Sequence, residues 1–183
     1  MNVRIERIRN ELRELKKADP RVDTTEILEK YLNNASDDEE RYNLLVWLAL
    51  EHRLQERYID FERVIKEAIS VCQNSPIPWY YLAEHYLYYD VNLESAEKNI
   101  EIAVEKALHR KKFVRPVMGV RIRVALERSD YEAVQNALEI LIEYVPIPES
   151  PEIEPETDFL KKIPKGKVKK SIIDRYIRKF GVH

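Results

Sequence analysis

Apolar residues recur at three- and four-residue spacings along almost the whole chain, the period of helices that bury one face. Ile5, Ile8, Leu12 and Leu15 make a single stripe that predicts a first helix ending near Asp19-Pro20. Asp23-x-x-Glu26 reads as a capping box that opens a short second helix with Ile27, Leu28, Tyr31 and Leu32. Asn33 and Asn34 stop it, and Ser36-x-x-Glu39 reads as a second capping box. A last amphipathic helix is expected near 168–180, with Ile172, Ile173, Tyr176, Ile177 and Phe180 on one side.

Between these ends the pattern repeats. Trp47 aligns with Trp79 at an offset of 32 residues, which also pairs Leu50 with Leu82, Val64 with Ala96 and Ala68 with Ile100. A period in the low thirties with two helices per unit predicts stacked helical hairpins, because one hairpin alone leaves an apolar face wet. The middle copy carries W-x2-L-A-x2-Y at Trp79, Leu82, Ala83 and Tyr86, then A-x3-I-x2-A at Ala96, Ile100 and Ala103, with one extra residue in the turn. In the copy before it Glu51 takes the small-residue place. In the copy after it Met118 and Ile122 replace the Trp and the small residue, ahead of "RSDYEAVQNALEIL".

On these residues, over roughly 37–144, the chain resembles the tetratricopeptide repeat family. The resemblance implies an all-α solenoid of antiparallel hairpins whose first helices line a concave groove for a peptide or partner helix. The expected organisation is an N-terminal hairpin cap (1–35), a repeat array (36–145), a Pro/acidic strap (146–158) and a basic C-terminal capping helix (159–183). On a helical wheel Trp79 and Tyr86 fall on the stacking face, while Tyr81, Glu84, His85 and Tyr88 are left opposite; of these Tyr81, Glu84 and Tyr88 are taken as groove residues. With His52 and Arg123 they form the expected partner-binding groove. Packing against another part of the chain is the alternative for these tyrosines, since a tyrosine ring buries area while its hydroxyl stays wet. Family members that clamp a terminal carboxylate use lysine, asparagine and arginine in the groove. Leu48, His52, Tyr81, Pro116 and Val120 stand there, which points to aromatic and apolar reading of a partner instead.

Composition narrows the function classes. The 183 residues include three glycines and one cysteine, so neither a turn-rich β-protein nor an internal disulfide fits. No apolar run approaches the length of a bilayer span, and the start lacks a signal-peptide pattern, so the expected location is cytoplasmic. No glycine-rich phosphate loop or zinc-spaced Cys/His set occurs, so neither enzyme activity, a metal nor another cofactor is expected. His52, His85 and their neighbouring glutamates remain a conceivable metal set, with solvated repeat faces as the ordinary reading.

Charge is unevenly placed. Residues 149–158 hold five acids and no base, and Lys161 to Lys179 hold nine bases against Asp174 alone. The strap is expected to be extended and able to reach the groove of its own chain. Lys161, Lys162, Lys165, Lys167, Lys169 and Lys170 are candidate phosphate contacts, which gives the alternative function: a nucleic-acid-associated protein. The N-terminal stripe is too short to argue for a coiled-coil dimer, so a monomer is favoured.

Overall fold

The computed structural model describes residues 3–144 and 158–180, and these residues are all-helical, with no strand among them. The strap at 146–158 therefore lies outside the described residues except for Asp158. The chain divides into two compact units, Met1–Asn74 and Ser75–His183. The boundary passes through the stretch that the sequence marks as one array.

The first unit contains α1 (Val3–Ala18), α2 (Thr25–Leu32), α3 (Asp38–Leu54) and α4 (Tyr58–Val71). Helix α3 packs against α4 and α2 around Leu44, Leu45, Phe61, Ile65 and Leu28. Of the two predicted capping boxes, that of α2 does not form, its N-cap making no side-chain capping bond, and that of α3 is displaced by one residue. Thr24 stands at the N-cap of α2, and Asp23 Oδ1 accepts from the Thr25 amide and hydroxyl. Asp37 caps α3 by accepting from the Glu40 amide, and Glu40 reaches back to the amide and hydroxyl of Ser36.

Two buried carboxylates on α3 hold α1. Arg4 Nε stands 3.0 Å from Glu40 Oε1, an ion pair without hydrogen-bond alignment. Near the other end of α3, Glu51 accepts from Lys16 Nζ (3.0 Å), from the Thr24 hydroxyl (3.0 Å) and from Gln55 (3.0 Å). Burial pushes the Glu51 carboxyl up, but the bonds from Gln55, Lys16 and Thr24 outweigh it and hold the group below its ordinary value.

His52, beside Glu51, is buried with neither ring nitrogen hydrogen-bonded among the described residues. Burial, then the nearby charge of Arg57, depresses its pKa, against weaker opposition from Asp60 and Glu29. The unfolded chain therefore takes up this proton at a higher pH than the folded one. The contribution of His52 to stability is flat above its ordinary value of about 6.5 and turns unfavourable as pH falls below it. Urea melts between pH 8 and pH 5 should show this loss, and His52→Leu should reduce the slope. An unchanged slope would place the titration elsewhere.

The second unit contains α5 (Pro76–Tyr88), α6 (Leu93–Arg110), α7 (Val114–Glu127), α8 (Tyr131–Tyr144), a 3₁₀ turn (Asp158–Lys162) and α9 (Lys170–Phe180). Helix α5 packs on α6, α7 on both, α8 on α7 and α9 on α8. Met118, Ile122, Ile100 and Leu138 are fully enclosed among them.

Helices end here without glycine. Glu56, Lys111 and Ser129 adopt left-handed φ values of 58°, 52° and 57°. After each, the next amide bonds a carbonyl five residues back: Arg57 to His52, Lys112 to Ala107, Asp130 to Ala125. The α5–α6 turn is longer by one residue, with Val91 at φ 51° and the Asn92 amide reaching Tyr86. Gly166, at φ 84°, sits where a tight turn closed by Lys167 N–H to the Pro164 carbonyl needs it.

Candidate functional site

Helix α5 starts from Ser75, whose hydroxyl caps the Ile77 amide, with Pro76 in the first turn where its missing N–H costs nothing. Its buried side chains include Leu82, Ala83 and Leu87, and also His85, which was expected on the solvated face and is 3% exposed because its ring packs between those of Tyr86 and Tyr89. The expectation that Trp79 and Tyr86 are core is corrected too: both are half-buried at the edge of the cluster. The fully buried positions of α5 are taken by smaller side chains, and the two large rings pack against that cluster from its edge.

The expected groove residues separate by environment. His52 belongs to the first unit and is buried, so its ring offers no contact surface; the carboxylate beside it is occupied by Lys16 and Thr24. Tyr81 is half-buried against Tyr80, ring centroids 5.1 Å apart and edge-on. Glu84 accepts from the Tyr80 hydroxyl at 2.7 Å. Tyr88 is 47% exposed and meets Arg123 of α7. The Arg123 guanidinium carbon lies 5.7 Å from the Tyr88 ring centre, and Nη1 donates to the Tyr88 oxygen at 2.6 Å. Tyr88 and Arg123, 35 residues apart, are thus brought together.

Two cavities flank this pair. One, of about 540 Å³, is walled by Leu87, Tyr88, Val91, Leu126 and Phe159, with Glu127 and Lys162 adding charge of both signs. The other, of about 240 Å³, is bounded by Tyr80, Glu84, Arg115, Gly119 and Tyr176. Arg123 and Phe159 line both, so the two form one groove divided by these side chains. Val91 adds a β-branched residue held in a left-handed conformation, which is costly, and it is 74% exposed.

Sequence reasoning missed Phe159, Arg115 and Gly119. Phe159 comes from the 3₁₀ turn, where it is buried and meets Tyr176 edge-on at 5.8 Å. Its only local signal is the apolar pair Phe159-Leu160 between an acidic and a basic run. Arg115 and Gly119 sit on the face of α7 that also carries Arg123, at intervals of four residues.

The six candidate phosphate contacts are all exposed. Lys161 pairs with Asp158 (2.8 Å), while Lys162 stands 3.9 Å from Glu127 and Lys170 4.0 Å from Asp174. Lys167 lies over the Tyr131 ring, and the Lys169 amide donates to Gln135. Among the described residues no group of three His, Cys, Asp or Glu side chains could hold a metal, and no helix is long and apolar enough to cross a membrane. No family model, curated protein or solved structure matches this chain.

Proposed function

We propose that the chain is a non-catalytic, cytoplasmic adaptor resembling tetratricopeptide arrays, a monomer that holds a peptide or helix of a protein partner. The groove between α5, α7 and the 3₁₀ turn is where that partner sits. The observation that carries this reading is the divided groove itself. A cavity of about 540 Å³ with mostly apolar walls takes one or two large side chains, and an exposed tyrosine fixed by an arginine stands beside it.

The test is a pull-down from the source lysate with the wild-type chain and with Tyr88→Ala. Because the ring is half in solvent, Tyr88→Ala should melt within a few degrees of the wild type. It should nevertheless lose the captured protein, as an aromatic anchor worth about 2 kcal/mol or more does. Equal capture by both chains would count against the groove.

The second reading, nucleic-acid association, rests on Lys165, Lys167 and Lys169, which have no acid partner among the described residues. If they neutralise three phosphates, single-strand affinity should fall with a log–log salt slope of about −2. A partner held in the apolar groove should show little such dependence.

A further inference from the structure

We propose, building on the peptide-binding reading above, that the smaller cavity receives a single carboxylate, so that the partner segment presents an Asp or Glu close to an apolar residue. Arg115 is the reason. Its guanidinium lies 5.7 Å from the centre of the Phe180 ring, and Nη2 is buried without a hydrogen-bond partner among the described residues. The other polar groups of the cavity are engaged: Tyr80 donates to Glu84, and Arg123 to Tyr88. Arg115 is the cation there with a buried nitrogen that has no acceptor, an expensive arrangement that an arriving oxygen relieves.

Charge and shape select the ligand. Two guanidiniums against the one carboxylate of Glu84 leave a single positive charge in the cavity. One carboxylate balances it and matches the planar fork of arginine with two parallel bonds. A doubly charged phosphate would exceed it and be repelled by Glu84. Arg115 and Pro116 also occupy the first turn of α7, whose dipole favours a negative group at that end. The larger cavity across Arg123 and Phe159 takes the neighbouring apolar side chain, which places the two anchors within a few residues of one another.

The experiment pans a random dodecapeptide library on the full chain and measures the dissociation constant of the best binder. The expected binder carries Asp or Glu one to four residues from a large apolar residue. Replacing that acid by its amide should weaken binding tenfold or more, and Arg115→Gln should do the same with the original peptide. On Arg115→Gln the amide swap should make no further difference, and Arg115→Lys should retain part of the affinity. Binders without an acid, or an amide swap equally costly on both chains, overturn the carboxylate assignment. The groove reading survives that result provided Tyr88→Ala still abolishes binding. Peptides indifferent to Tyr88 and Arg115 alike, or no binder at all, overturn both. Competition by millimolar inorganic phosphate but not by acetate would reassign the cavity to phosphate and overturn the acidic peptide.

Discussion

Removing residues 165–183 should unfold the second unit rather than trim it. The segment contributes Val168, Ile172, Tyr176 and Phe180, each less than 9% exposed. Burying such side chains is worth roughly 1.5–3 kcal/mol apiece, an upper bound because the unfolded chain already hides some area. Four of them amount to about 6–12 kcal/mol gross, comparable with the whole stability of a domain, about 5–15 kcal/mol. The loss also strips Phe159 of Tyr176 and bares the surface of α8 on which α9 lies. The truncated chain should lose its cooperative melt and elute as aggregate, with or without nucleic acid. A truncated chain that melts as before and stays monomeric would make α9 an appendage and shift weight to the basic tail as a ligand-binding element.

Glu51→Ala should cost about 2–4 kcal/mol. It removes the acceptor for Lys16, Thr24 and Gln55 at once, and hydrogen bonds to a buried charge are worth about 1.5–3 kcal/mol. Lys16 is 28% exposed and regains some water, which keeps the figure below that for a fully enclosed pair. Glu51→Gln should cost less, since it keeps one acceptor oxygen, while turning an amide N–H₂ toward an ammonium or a hydroxyl. Urea midpoints of the two variants, and of each combined with Lys16→Met, measure the coupling directly. A Glu51→Ala chain within about 0.5 kcal/mol of the wild type would refute the clamp.

Glu51 also shows where reading the sequence stops. The helices α1, α2 and α9 were legible to within a few residues, because their stripes are set locally by the 3.6-residue period. Glu51 stands as a misfit in a small-residue place, and its one local partner, Gln55 a turn away, does not by itself account for a buried carboxylate. Its partners Thr24 and Lys16 lie 27 and 35 residues away. The capping register failed for the same reason. Asp37, Asp38, Glu39 and Glu40 offer two equivalent pairings from Ser36 or Asp37, and Arg4 on another helix decides which glutamate turns inward.

The site divides likewise. Tyr88 and Arg123 could be named from helical faces alone, and the structure joins them. Phe159 could not, because it returns to α7 from beyond the strap and no periodicity links it to the helices it meets. The resemblance that put Trp79 and Tyr86 in the core was misleading on that point. It supplies a residue pattern, but the burial of each ring depends on which neighbours α5 actually has.

The pair Arg4–Glu40 and Lys16–Glu51 has one more consequence. Apolar stripes repeat every turn, so a helix held by its stripe alone has several nearly equal resting places along its neighbour. The bases on α1 are 12 residues apart and the acids on α3 are 11 apart, and such marks do not repeat. A slide of four residues either way sets Pro20 or Leu12 in the place of Lys16 and strands a buried carboxylate. The position of α1 is thus an address written in two charges. A substitution that leaves every apolar contact of α1 untouched is enough to let that address be misread.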